Sequence, residues 1–205
     1  STDIDENSGN IKDKKMGYYL AEEKIFRSVT EATGAGSNRH PLTYILEAAD
    51  DLAYKTADIE DAFVKGFITY DMLAQELAPL DKEFTKAAFR PLEKLRQLCD
   101  RGAAKGVSDP ASYAVKNWIV SAQGFLINCA TYGFTSNYDS IMEGTFPHDL
   151  FHDTFGQKLM ELLGDMAYRR VFSSMAIYKM EVSESSILNY LMDKLVHAAL
   201  YYDTD

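Results

Sequence analysis

The sequence predicts an all-α protein. Apolar residues recur at helical spacing over long stretches, and proline and glycine fall where helices start and stop. No stretch alternates apolar and polar residues as a half-buried strand would, and no Asn-Gly hairpin signal or internal repeat stands out. In chain order, residues 1–12 are polar, contain Gly9 and lack periodicity, which is the pattern of a mobile lead-in. A first helix is expected over residues 21–32, stopped by Gly34 and Gly36. Pro41 then opens a long helix at a position that tolerates proline, with its end expected near Gly66. Shorter helices are expected over 70–77 and 81–104. The second accommodates Pro91 only with a kink or a break, because proline lacks an N–H and clashes with the preceding turn. Asp109-Pro110 reads as an acidic N-cap followed by a first-turn proline, starting a helix over 111–132. After a turn at 144–147, helices over about 151–172 and 183–201 complete the set. Trp118, Phe125 and Leu126 have the spacing of one buried helical face.

A chain of 205 residues that is 46% hydrophobic holds enough apolar material for one helical core. Gly34 and the 102–106 stretch look like helix connections rather than linkers, so one domain is the simplest account. No run approaches the roughly 18 apolar residues of a spanning helix, and no charged-then-apolar leader opens the sequence. Cys99 and Cys129 lack metal spacing and read as reduced core thiols, which points to the cytoplasm. A net charge of −10 argues against a general nucleic-acid coat. Two local basic groups exist nonetheless: Lys12, Lys14 and Lys15, and along one helix Arg90, Lys94, Arg96, Arg101 and Lys105.

Residues 39–61 form an alanine-rich, otherwise apolar helix that carries acids. At about 3.6 residues per turn, Asp50, Tyr54, Asp58 and Asp61 lie along one stripe, whereas Asp51 and Lys55 make a neighbouring i,i+4 pair. An enclosed carboxylate without a cation or donors takes up a proton or costs several kcal/mol, so enclosure would imply a metal, a ligand hydroxyl or a base. The other reading is a solvated face. Ala48, Ala49, Ala53 and Ala57 would let a second helix approach and enclose the acids, and physics alone leaves the two readings even.

The segment Pro41-Leu42-Thr43-Tyr44-Ile45-Leu46-Glu47-Ala48-Ala49-Asp50-Asp51-Leu52-Ala53-Tyr54, continuing to Asp58-Ile59-Glu60-Asp61, resembles the last signature of the HD-domain deoxynucleoside triphosphate (dNTP) triphosphohydrolases, the dGTPase family. Lys14-Lys15-Met16-Gly17-Tyr18-Tyr19-Leu20-Ala21-Glu22 is similar to that family's entry to the preceding helix. Ile141-Met142-Glu143-Gly144-Thr145-Phe146 is similar to its Ile-x-x-Gly-Thr-Phe turn, and Tyr168-Arg169-Arg170-Val171-Phe172 to the following helix end. The resemblance implies an HD-type multi-helix bundle, of which residues 17–205 would be the C-terminal part and residues 1–16 a lead-in and phosphate-side loop. It also implies hydrolysis of a dNTP, dGTP in particular, to deoxynucleoside and tripolyphosphate with Mg, Mn or Co.

By the same resemblance, Asp50 is the closing aspartate of a His...His-Asp...Asp metal set, Tyr54 sits by the deoxyribose, and Asp58 accepts a hydrogen bond from its 3′-hydroxyl. Lys14 and Lys15 fall where the family binds triphosphate, and Glu181 falls where some members read guanine. Oligomers and, in some relatives, single-stranded DNA binding are further implications. One departure matters. No His-Asp pair precedes Asp50, and His148-Asp149 and His152-Asp153 come in the wrong order. One aspartate does not hold a catalytic divalent ion by itself. The chain is therefore expected to be the C-terminal portion of a larger enzyme, inactive without its N-terminal part. The alternative is a helical regulatory or interaction module that keeps the scaffold without catalysis.

Overall fold

The computed structural model describes residues 4–5, 7–14, 18–84 and 89–202. Among them are eight α-helices and no strand: α1 (Glu23–Thr33), α2 (Pro41–Val64), α3 (Tyr70–Glu83), α4 (Pro91–Ala104), α5 (Pro110–Ser136), α6 (Tyr138–Met142), α7 (Gly156–Ala167) and α8 (Met175–Leu200). Short 3-10 turns cover Ile11–Lys14 and Leu20–Glu22, and a π-helical turn over Tyr168–Phe172 joins α7 to α8.

Local chemistry sets most boundaries. Gly34 stops α1 at φ 72° and Gly66 follows α2 at φ 78°, a left-handed conformation that glycine adopts without Cβ strain. His40 caps α2 by accepting Leu42 N–H on Nδ1 at 3.2 Å, with Pro41 in the first turn. Thr69 caps α3, and Asp109 caps α5 by accepting Ser112 N–H at 2.9 Å. The chain breaks before Pro91, which becomes the first residue of α4, so the expected 81–104 helix is two pieces. The first piece belongs to α3, which runs through Pro79 to Glu83 and so exceeds the expected 70–77. Asp81 explains the second start. Its buried carboxylate accepts Leu92 N–H at 2.8 Å and Glu93 N–H at 3.0 Å, capping α4 from the end of α3. The single expected helix over 151–172 resolves into α7 and the π turn, and α6 was not expected.

Helix α5 is the axis of the body, packed by α4, α2 and α7. Trp118 is fully buried on it and donates Nε1–H to Pro91 O at 2.8 Å, tying α5 to the start of α4. Leu126 is also fully buried, and Phe125 is partly buried against the same core. Helix α2 turns Tyr44, Ala48, Leu52, Thr56, Ile59 and Ala62 inward at three- and four-residue steps. Thr56 would be an unsatisfied polar group there, but its hydroxyl donates to Leu52 O at 2.8 Å and accepts from Gln123 on α5 at 2.9 Å. Gly133 lets α5 meet the 143–155 loop closely, since a Cβ there would lie 2.0 Å from Leu150 O.

Among the described residues, two helices contribute no buried side chain. Helix α1 packs chiefly with the 3-10 turn before it, and α8 chiefly against the π turn. Helix α8 starts at Met175, well before the expected residue 183, because Ser174 caps it by accepting Ile177 N–H at 3.4 Å.

Candidate functional site

The buried residues of α2 leave a second face toward solvent, and the stripe lies on that face. Asp50, Ala53, Tyr54, Ala57 and Asp61 are exposed, while Asp58 is half-buried. Tyr54 keeps 66% of its surface. Of the two readings of the stripe, the solvated face holds among the described residues, because no element of this chain covers it. No hydrogen bond or ion pair among them engages Asp50. Loss of solvent, then the charge of Asp61, pushes the Asp58 carboxyl above its ordinary value. An ionised Asp58 is therefore underprovided with donors.

An apolar groove of about 230 Å³ lies between α2 and α5, on the side of α2 away from the stripe, lined among others by Ile45, Ala48, Ala49, Leu52, Ile127 and Phe134. A larger cavity of about 770 Å³ lies between the end of α3, α5 and the start of α7, but no α2 residue lines it. Burial pushes up the thiol of Cys129 in that cavity, which fits a core cysteine.

The N-terminal end of α2 is fixed by residues that sequence reasoning did not single out. Arg39 is nearly buried in an ion pair with Glu47, one turn before Asp50, and its guanidinium lies 4.9 Å over the Tyr44 ring. Tyr44 in turn donates its hydroxyl to Phe146 O at 2.6 Å, which binds the Ile141-to-Phe146 turn to α2. The available signal was an arginine and a tyrosine flanking a helix start, which is too common to stand out. Ile11 N–H donates to Pro147 O at 2.8 Å, so the 3-10 turn that ends at Lys14 is tied to the same end of the molecule. Lys14 is exposed there; Lys15 lies outside the described residues.

Glu181 is exposed on α8, whose main packing is on the π turn rather than on α2. Arg170 of that turn lies 3.5 Å from Glu76. His148 and His152 stack with ring centroids 3.6 Å apart and planes 16° from parallel. Near-parallel rings aim their nitrogen lone pairs side by side rather than at one ion. Among the described residues no group of three or more His, Cys, Asp or Glu could hold a metal, so Asp50 alone does not fit a divalent ion. In the second basic group, Arg90 is engaged by Glu93 at 2.6 Å and by Asp81 at 3.8 Å, and Lys105 lies over the Tyr113 ring. Among the described residues no helix is long and apolar enough to cross a membrane.

No family model matches the sequence. Curated proteins do. A "Deoxyguanosinetriphosphate triphosphohydrolase-like protein" of Listeria monocytogenes is 33% identical over 202 residues, 97% of this chain and 42% of that protein. The "Deoxyguanosinetriphosphate triphosphohydrolase" of Serratia proteamaculans is 29% identical over 191 residues, 91% of this chain and 37% of that protein. That of Klebsiella pneumoniae is 31% identical over 183 residues, 88% of this chain and 36% of that protein. The chain thus spans about two fifths of the length of the curated relatives it matches. Along nearly its whole length, this all-α chain is homologous to part of the deoxyguanosinetriphosphate triphosphohydrolases.

Proposed function

We propose that this chain is the C-terminal part of a metal-dependent dNTP triphosphohydrolase that acts on dGTP and releases deoxynucleoside and tripolyphosphate. The observation that carries the reading is the exposed α2 face, where Asp50, Tyr54 and Asp58 stand in line, in a chain that matches two fifths of proteins so named. The exposed acids are what a further helical part would cover, and such a part would supply the metal donors that the described residues lack. A divalent ion, when bound, polarises a phosphoryl oxygen and acidifies its water.

The family resemblance assigns the roles of this chain's own residues, and their chemistry suits those roles. Asp50 contributes one carboxylate to the shared ion. Asp58 accepts from the 3′-hydroxyl of the sugar, a donor that offsets its loss of solvent and that an analogue lacking the hydroxyl would not offer. Tyr54 presents a flat ring and a hydroxyl to the deoxyribose. Lys14 and Lys15 draw the triphosphate as point charges on flexible stems. Glu181 as a guanine reader would need α8 brought to the α2 face from another copy or by a covering part. Self-association belongs to this proposal; single-stranded DNA binding is the weaker part, because Arg90 is already ion-paired.

The test uses the complete polypeptide that carries this chain. Asp50→Ala is expected to remove divalent-ion-dependent release of tripolyphosphate from dGTP, and undiminished turnover would refute the role. The 205-residue chain alone is expected to release none. If the complete polypeptide with its native Asp50 hydrolyses none of the four dNTPs with Mg, Mn or Co, the non-catalytic module is the correct reading.

A further inference from the structure

The stripe on α2 has a direction. From Asp58 through Tyr54 to Asp50 it advances about 12 Å toward the N-terminal end of the helix, at about 1.5 Å per residue. Under the roles proposed above, that is the order from 3′-hydroxyl to sugar to ion, so the outer phosphates of a dNTP run on past Asp50 toward Glu47 and Arg39. The side chains at this end are enclosed. Arg39 and Glu47 keep only 9% and 12% of their side-chain surface, paired with each other, and the guanidinium covers the Tyr44 ring. Arg39 Nε is buried, and among the described residues no acceptor meets it. A buried donor without a partner lowers stability, so this pose needs a reason other than stability. Tyr44 is buried under it, and burial pushes its hydroxyl up, which keeps the group a donor.

We infer that Tyr44, clamped by Arg39 and Glu47, is a positioning residue for Lys14, acting through Phe146 and Pro147 and the 3-10 turn Ile11–Lys14. The inference rests on the triphosphate role proposed for Lys14. Its links are continuous. Tyr44 donates to Phe146 O at 2.6 Å, and the next residue, Pro147, accepts Ile11 N–H at 2.8 Å. Ile11 also packs its side chain against the core, and it opens the turn that ends at Lys14. The residues before Lys14 are otherwise closed on themselves: Asp5 N–H donates to Asp13 O at 2.8 Å, and Ser8 Oγ–H to Asp13 Oδ2 at 2.9 Å. Among the described residues, Ile11 therefore makes this segment's backbone hydrogen bond to the body. Lys14 is exposed there, and no ion pair among the described residues engages it, so its ammonium is open to an anion. A lysine whose backbone wanders loses affinity to the ordering that binding requires, and one on an anchored turn is spared that loss.

The experiment compares Tyr44→Phe, Ile11→Ala and Lys14→Ala in the complete polypeptide that carries this chain. Tyr44→Phe removes the hydroxyl and keeps the ring. Ile11→Ala loosens the same path at its other end without touching α2, and carries the test if Tyr44→Phe loses helix by far-UV circular dichroism. Amide exchange at Ile11 is expected to speed up about tenfold in Tyr44→Phe, the factor that one net hydrogen bond is worth. Lys14→Ala is expected to raise the KM for dGTP about tenfold, and more than it lowers kcat. Tyr44→Phe and Ile11→Ala are each expected to raise KM several-fold alone and to add nothing in the Lys14→Ala background, because they act through that lysine. A residue that merely holds the fold would have the same effect in both backgrounds. Unchanged exchange at Ile11, a silent Lys14→Ala, or effects that add fully to that of Lys14→Ala would each overturn the inference. Asp50→Ala separates the two proposals: if it abolishes turnover while the Tyr44 and Lys14 effects add, only the inference fails, and if it is silent, the reading beneath fails as well.

Discussion

Asp58 carries a charge that its surroundings in the folded chain disfavour. Its folded-state value is raised, by desolvation first and by Asp61 second, so the ionised form is penalised in the folded protein. The sign follows: the penalty is fully present above the raised value and disappears as pH falls through it and then through the lower unfolded value. Asp58→Asn is therefore expected to melt at a higher temperature than the native chain at neutral pH, with the gain shrinking through the acidic carboxylate range. Thermal scans at several pH values check this; a gain that persists after protonation would mean the cause is packing. If Asp58 holds the 3′-hydroxyl, the same variant in the complete polypeptide loses dGTP turnover while gaining stability. Trp118 is the opposite case, a polar group fully served. Trp118→Phe keeps most of the buried ring but removes the second bond to Pro91 O, and is expected to cost roughly 1 kcal/mol in denaturant unfolding.

Helix starts were legible where cap and proline are adjacent in sequence, as at Asp109-Pro110 and before Pro41, because that chemistry is local. The start of α4 was legible only as a break at Pro91, since the residue that caps it, Asp81, comes from the preceding helix. Asp81→Ala strands two buried N–H groups at once, so it is expected to cost about 2 kcal/mol or more, and to raise amide exchange in the first turn of α4 beyond the rest of that helix. Helix α6 is too short for periodicity to show it, and Ser174 was passed over because the serines and acids that follow it hide the apolar spacing of α8. A close backbone approach is equally invisible in sequence. Gly133 faces Leu150 O at a distance no Cβ tolerates, so Gly133→Ala must push α5 from the 143–155 loop, with an expected loss of roughly 3 kcal/mol or more, read as a lower denaturation midpoint.

For the whole molecule, the sequence foretold the all-α class and the acidic stripe but left open whether the stripe is enclosed. That question belongs to tertiary structure: spacing puts Asp50, Tyr54 and Asp58 on one face, yet only packing decides that α5 and α7 take the opposite face and leave this one open. Periodicity likewise found a helix over 183–201 without showing how little of it the body covers. This placement makes a final quantity predictable. Stability of the body comes from apolar surface removed from water around α5, and α8 adds no buried side chain beyond Ile177, where every described residue is exposed. A chain ending at Ser186 therefore loses little buried surface. Its melting temperature is expected within about 2 °C of the 205-residue chain, the range of a surface change of a few tenths of a kcal/mol. A drop of more than about 5 °C in dilute solution would show that the far half of α8 folds back onto its own body.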